Sequence, residues 1–322
     1  MILSWCALSN QVTIIIPNFN GAHLLLKNLP SVIETAKACS LKAHIIVIDD
    51  GSSDNSLLLL EQQFPNVQVV VHGHNRGFSE AVHSGVYAAD TELLFLLNSD
   101  VHLNINCLDP LAEYFNESDT FSVCPLILNE VGAVTRHSWN RRQFKLGNLK
   151  PTEWNLNQAI RLRKIKKLPT LYASGGSMMV RKSMFLELNG FHPLYKPFYS
   201  EDFDLGLRAW RRGWRSYFEP NVSVIHQSKG SIKENVRRAY VKQVRRRNNY
   251  LIEWMHFPVA RLLTTVVPLT IWQLLGEILL LDRVNLKGFV TALPKIKVVI
   301  TARNELRKTQ KLSLGEILKE IR

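Results

Sequence analysis

The stretch Leu93-Leu94-Phe95-Leu96-Leu97-Asn98-Ser99-Asp100-Val101 decides the fold. Five apolar residues run straight into Asn98, Ser99 and Asp100. A short continuous apolar run bounded by polar residues reads as a strand buried on both faces. A parallel strand ending in a carboxylate carries it to the C-terminal edge of the sheet, where open α/β sheets bind ligands. A carboxylate there can hold a hard cation, and a hard cation can hold a diphosphate. Taken alone, Asp100 reads equally well as the cap of a turn.

Working outward, the same pattern recurs. Val12–Ile16 is a β-branched run that reads as a buried strand, ended by Pro17 and followed by the loop Asn18-Phe19-Asn20-Gly21. From Ala22 to Ala38, Leu25, Leu29, Val32, Ile33 and Ala36 fall at helical spacing. Ile45–Ile48 is a second apolar strand, ending in Asp49 and Asp50, with Asp54 placed to cap the next helix. Val67–Val71 is a third strand, and Asn75-Arg76-Gly77-Phe78 turns into a helix running towards Ala89. Strand and helix thus alternate four times in about a hundred residues, which predicts a parallel, doubly wound sheet. Right-handed crossovers then bring the loops after the first, second and fourth strands to one edge. Asp49 directly follows an apolar strand, so its carboxylate should be partly buried and needs a partner. No G-x-G-x-x-G follows the first strand and no G-x-x-x-x-G-K-[ST] occurs, which disfavours a dinucleotide dehydrogenase and a P-loop NTPase.

The second half is less regular. Phe121–Leu128 reads as a strand interrupted by Pro125, and residues 130–170 as an insertion of short elements. Its basic run Arg161–Lys167 reads either as a solvated helix face or as a phosphate contact. Gly175 and Gly176 precede the apolar Met178-Met179-Val180, and paired glycines beside a strand let a ligand approach the backbone. Glu201, Asp202 and Asp204 open a segment with Leu205, Leu207, Arg208, Trp210 and Arg211 at helical spacing, so the acids sit where the helix dipole favours negative charge. Trp214–Phe218 and Val222–Ile225 read as two short strands, the second ending in His226.

Composition narrows the class. With 322 residues and 46% hydrophobic content, the chain can hold one large domain and an appendage. Cys6, Cys39, Cys107 and Cys124 form no C-x-x-C pair, which fits a reducing compartment. Met1–Asn10 lacks the basic start of a signal peptide. Residues 1–135 hold 4 Lys/Arg and 14 Asp/Glu, whereas residues 136–322 hold 36 and 13. A basic half of that size suits an anionic partner: nucleic acid, an acidic membrane or a phosphorylated substrate. Nucleic acid is disfavoured, since no RNP, KH or zinc-finger pattern occurs and aromatic residues do not interleave the basic runs.

In order along residues 12–228, Ile14–Gly21, Val47–Asp54, Asn75–Val82, Leu96–Asp100, Ala173–Lys182, Phe198–Trp214 and Val224–His226 resemble the motifs of glycosyltransferase family 2. The similarity is strongest to its rhamnosyltransferase-like subgroup, which builds bacterial surface polysaccharides on lipid carriers. It implies an inverting enzyme with a GT-A fold: a catalytic domain over residues 1–228, with a nucleotide half at about 12–101 and an acceptor half at about 120–228. Residues 229–322 would form a basic, apolar helical extension. The resemblance further implies that Pro17, Asn20, Asp49, Asp50, Arg76, Gly77 and Asn98 bind the nucleotide of a UDP-, dTDP- or GDP-linked sugar. Asp49 would accept the base N–H, with Asp50 the second candidate. Asp100, with His226 nearby, would hold Mg²⁺ or Mn²⁺ on the diphosphate. Gly175 and Gly176 would border a glycan or polyprenyl-linked acceptor. Asp202, beside Glu201, would be the general base. The chain departs from the family at Asn98, which replaces the first aspartate of D-x-D and removes one negative ligand, and at His83, where the family pattern has Asn.

Beyond the motifs, residues 229–247 hold eight basic residues against Glu234 and read as a helix that closes over the donor diphosphate or grips a phospholipid-linked acceptor. Leu262–Leu281 is long enough to span a bilayer, but Pro268, Gln273 and Glu277 oppose it, an acid near mid-membrane costing about 2.5–3.5 kcal/mol. The reading is a helix lying in the interface of an anionic membrane, at the inner face of the cell membrane, or else packed on the catalytic domain. A nucleotidyltransferase on a similar sheet and a catalytically dead membrane scaffold are the competing classes; the Glu201-Asp202 helix mouth argues against the former.

Overall fold

The fold is taken from a computed structural model that describes residues 10–145, 147–227 and 236–322. Cys6 and, from the basic run, Lys229, Lys233 and Glu234 lie outside the described residues. Strands β1 (Gln11–Asn18), β2 (Lys42–Asp49), β3 (Gln68–Val71) and β4 (Leu93–Leu97) alternate with helices α1 (Ala22–Ala38), α2 (Ser56–Gln63) and α3 (Phe78–Ala88). These strands pair in parallel; β1 and β4 and the second half of β2 are buried on both faces, as the helices covering the sheet require, and β3 is the half-exposed edge. The whole of β4 is buried, as its unbroken apolar run requires.

The sheet continues through β5 (Val101–Leu103), β6 (Thr120–Leu128), β9 (Leu168–Pro169), β10 (Ser177–Arg181) and β11 (Arg215–His226), in the order β3-β2-β1-β4-β10-β6-β11-β5, with β9 on β11. Strands β5, β9 and β10 run antiparallel to their neighbours, so the sheet is mixed but mostly parallel. A separate hairpin, β7 (Arg142–Lys145) and β8 (Asn148–Pro151), lies in the insertion.

Three sequence expectations need correction. Pro17 does not end β1; the ladder to β2 runs on to Asn18↔Asp49, and Pro17 lies beyond the last pair with β4, Ile15↔Leu96. Pro125 does not interrupt β6. Nor do Trp214–Phe218 and Val222–Ile225 form two strands: from Arg215 on they belong to one, β11, which shifts register against β6 between Glu219 and Ser223. Pro125 pairs with Glu219 at that irregularity and Pro220 lies within it, where a missing N–H costs least.

Short helices α4 (Leu108–Ala112), α5 (Leu156–Arg163) and α6 (Lys182–Glu187) precede α7 (Glu201–Arg211). In the basic run Arg161–Lys167, which starts in the last turn of α5, Arg163 pairs with Glu219 at 2.6 Å and Lys167 with Glu117 at 2.9 Å, so these two cations are structural. The C-terminal helices are α8 (Arg238–His256), α9 (Val259–Leu279), α10 (Arg283–Ala292), α11 (Ile296–Thr309) and α12 (Leu314–Glu320). They are no appendage. Tyr250, Leu251, Val299 and Ile317 share one apolar cluster with Tyr172, Phe203, Leu207 and Trp210. Arg303 of α11 donates to the carbonyls of Trp254 and Phe257 at 2.8 and 2.6 Å, filling acceptors that the end of α8 leaves open. Helix α9 differs: it touches the body through Val266 and Leu262, but Trp272 and Leu279 are 75% and 83% exposed.

Candidate active site

The loops after β1, β2 and β3 are stitched together before any ligand is considered. Asn20 Oδ1 accepts from Ser53 N (2.7 Å), and Asn20 N donates to Ser52 Oγ (2.9 Å). Asp54 Oδ2 accepts from Ala22 N at the start of α1, and its Oδ1 accepts from Ser56 N at the start of α2. Asp54 thus performs the capping expected of it, although the residue flanking α2 is Asn55. Asp49 is fully enclosed, with Ser52 N on Oδ1 (2.9 Å) and Asn18 Nδ2 on Oδ2 (3.2 Å). Asp50 is occupied further: Arg76 N and Gly77 N donate to its two oxygens at 2.9 and 2.8 Å, and His72 Nδ1 lies at 2.7 Å. Gly77 has φ 89°, a left-handed conformation that glycine adopts without strain, and this aims both amides at Asp50. Asp50 therefore organises the loop, and the Arg76 side chain is left exposed at the edge.

One strand along, the polar end of β4 meets the start of β10. Asn98 N donates to Gly176 O at 2.9 Å, and a Cβ on Gly176 would lie 2.8 Å from Asn98 Nδ2, so any larger residue there would push the Asn98 side chain out of its place. Asp100 Oδ2 lies 3.3 Å from His226 Nε2, on the adjacent antiparallel pair β5–β11. Asn28 of α1 braces this corner, donating to Ser99 O and accepting from Gln227 Nε2, both at 2.9 Å. Asn98 Oδ1 and Asp100 Oδ1 are buried with no hydrogen-bond partner. Buried polar atoms are ordinarily paired, so two orphaned oxygens beside a histidine form a donor set suited to a hard divalent cation.

The third part is the mouth of α7. Tyr199 and Ser200 both have positive φ (70° and 74°), a costly conformation for residues with a Cβ. Helix α8 holds it: Asn248 Nδ2 lies 3.1, 3.0 and 2.7 Å from the carbonyl oxygens of Tyr195, Phe198 and Tyr199. The chain then enters α7 with Asp202 Oδ2 accepting from Gly175 N (3.2 Å) and Oδ1 from Phe203 N (2.7 Å). Gly175 and Gly176 thus link Asp202 to Asn98. Burial raises the pKa of Asp202 against the pull of the Gly175 and Phe203 amides and of nearby His137 and Arg142. Burial, and then the charge on Asp202, raise that of Glu201, whose Oε2 has no partner. Two residues on, Asp204 is the opposite case. Burial alone would raise its pKa, but Arg208 at 2.7 Å and His256 at 2.9 Å outweigh it and hold it below the usual carboxylate range.

Sequence reading did not find His137 and Arg142, which sit within electrostatic reach of Asp202; His137 is in turn within reach of Arg245 and His226. Nothing in an insertion without periodicity marks them. His83 has a structural job: its Nε2 accepts from Phe191 N at 2.9 Å and its ring stacks on Phe191.

Solved structures share this architecture. GalNAc-T7 with UDP, GalNAc and Mn²⁺ matches with a TM-score of 0.59 at 20% identity, over 77% of this chain and 48% of that one. The mannosyltransferase PcManGT from Pyrobaculum calidifontis, with GDP-Man and Mn²⁺, matches with 0.54 at 14%, over 76% and 62%. The fold is thus GT-A. In sequence, an N-acetylglucosaminyl-diphospho-decaprenol L-rhamnosyltransferase of Mycobacterium tuberculosis is 27% identical over 202 residues, which is 56% of this chain and 66% of that protein. The chain thus matches less than two thirds of the length of each of these proteins. The model of "Glycosyl transferase family 2" matches residues 13–188, more than half of the chain, and includes every motif from β1 to β10: the chain belongs to glycosyl transferase family 2.

Proposed function

We propose that the chain transfers a sugar, with inversion, from a nucleotide-sugar to a lipid-linked glycan at the cytoplasmic face of a membrane, in cell-surface polysaccharide synthesis. One observation carries the reading: through Gly175 and Gly176, a carboxylate at the mouth of α7 adjoins the orphaned oxygens at the end of β4. In the reaction, Asp202 accepts the proton of an acceptor hydroxyl while that oxygen bonds to the anomeric carbon. The bond to the nucleoside diphosphate breaks on the opposite face, which inverts the centre. Two backbone amides donate to Asp202 and oppose the rise that burial causes in its pKa, whereas Glu201, its pKa pushed up to about 8 by burial and by the charge on Asp202, holds the proton at neutral pH. Asn98, Asp100 and His226 would hold Mg²⁺ or Mn²⁺, which when bound offsets the charge gathered on the departing diphosphate. Pro17, Asn20, Arg76 and Gly77 border the nucleotide. Contact between Asp49 and a base N–H requires the Asn18–Ser52 collar to open, since Asp49 is enclosed.

The acceptor class follows from the C-terminal half. The rhamnosyltransferase relative names a decaprenol-linked acceptor. Helix α9, 21 residues long, is long and apolar enough to cross a bilayer and almost wholly unburied. The polar residues that oppose spanning are engaged by α8: Gln273 and Glu277 accept from Arg246 at 3.0 and 2.7 Å. An apolar outer face beside cationic helices suits an anionic lipid surface.

The test is thermal shift with UDP, dTDP and GDP, with and without Mn²⁺, followed by transfer assays with the matching nucleotide-sugars and a polyprenyl-diphosphate-linked sugar. A Mn²⁺-dependent stabilisation by one nucleotide is expected, and stabilisation by none would overturn the reading.

A further inference from the structure

Helix α8 repeats cations along one face. Arg238, Lys242, Arg245 and Arg246 fall at helical spacing and line a groove of about 640 Å³, closed by Tyr199 and by Asn285 of α10. That size lies in the range of small-molecule sites. Two of the cations are answered within the protein, Lys242 by Asp282 (3.0 Å) and Arg246 by Glu277 (2.7 Å). Among the described residues, Arg238 and Arg245 have no acidic partner, so four cations against two acids leave a net charge of +2. The groove also has a direction. At one end the Arg245 guanidinium stacks 4.2 Å over the Tyr199 ring, two residues before Glu201, and Arg245 and Asp202 both lie within electrostatic reach of His137. At the other, Arg246 grips Gln273 and Glu277 of α9, whose far side is the exposed apolar face.

We propose that this groove seats the diphosphate of the acceptor, with Arg238 and Arg245 on its two phosphate groups. The proposal rests on the lipid-linked reading of the acceptor and assigns the residues that recognise it. A diphosphate diester carries two negative charges, equal to the groove's surplus, and guanidinium forks bind phosphate oxygens in pairs. Held there, the first sugar passes Tyr199 towards Asp202, and the polyprenyl chain leaves along α9 into the bilayer.

The experiment measures vesicle flotation of the full chain in EDTA. Phosphatidylcholine vesicles carry either undecaprenyl diphosphate or enough phosphatidylglycerol to match its charge, which separates a diphosphate site from attraction to any anionic headgroup. The expected result is about tenfold tighter binding to the diphosphate vesicles, displaced by inorganic pyrophosphate in solution. Arg238→Gln with Arg245→Gln, both at exposed positions, should bring the two vesicles to equal affinity with an unchanged melting temperature. Arg245→Lys keeps the charge but loses the fork and should give up part of the preference. Equal binding by the unmodified chain, or a preference that survives the double substitution, overturns the proposal. Kinetics separate it from the broader reading. Turnover of a polyprenyl-diphosphate acceptor with KM unchanged in the double variant sinks the groove and leaves the acceptor class standing. A diphosphate preference without turnover of any lipid-linked acceptor sinks the acceptor class and leaves the groove.

Discussion

Asp49 and Asp50 follow β2; Glu201 and Asp202 open α7. Each is an adjacent pair of acids at the end of a regular element, and the sequence alone gives them equal standing. Around Asp49 and Asp50 every carboxylate oxygen has a donor from the protein, and what those donors build is loop structure. At α7, Asp202 has one amide from its own helix and one from Gly175, and Glu201 Oε2 has no partner. The first pair is a finished scaffold, whereas in the second Glu201 keeps unused hydrogen-bonding capacity and Asp202 lies within electrostatic reach of His137 and Arg142. Charge that the fold leaves uncompensated is charge available for chemistry.

The comparison breaks first at Asp202. Asp202→Asn removes the proton acceptor and keeps the side chain's shape, with its one oxygen still able to accept from one of the two amides. Transfer should fall by about a thousandfold or more, with nucleotide affinity within about twofold, measured by initial rates and by nucleotide titration. Normal transfer by this variant would move the base elsewhere.

At the closed pair the expected loss is of another kind. Asp50→Asn cannot accept as strongly from Arg76 N, Gly77 N and His72 together, so the loop before α3 loses its anchor. Stability should drop by about 2–3 kcal/mol in denaturant unfolding. Nucleotide affinity should fall with it, while turnover at saturating donor changes little. A variant that loses turnover but not stability would make Asp50 a reacting group.

This contrast also marks how much of the molecule could be read in advance. The βα repeats were legible because strands buried on both faces must be continuously apolar, and β4 is the plainest case. Strand β11 was not legible as one piece, because Pro220 reads as a break and only the pairing with β6 reveals an irregularity that tolerates it. Helix mouths and strand ends located Asp100 and Asp202. His137, Arg142 and Asn248 carry no local signal, since their role arises from contacts across 49 residues or more. For the same reason α8 looked like the start of an appendage, although its Asn248 holds the turn that aims α7.

The smallest effect is the most specific to the open pair. The pKa of Glu201 is raised by burial and by the charge on Asp202, so the folded chain retains a proton at pH values where the unfolded carboxyl has lost it. Stability from that proton is complete below the unfolded value and is lost as pH rises through the folded one. Glu201→Gln is neutral throughout and escapes that loss. The variant should therefore melt with the parent at about pH 4 and above it at about pH 9, by about 1 kcal/mol or roughly 2–4 °C. Transfer should persist within about tenfold, since Asp202 is untouched. Melting curves that coincide at every pH would mean that Glu201 is as well solvated as an ordinary surface acid, and the difference between the two pairs would shrink to Asp202 alone.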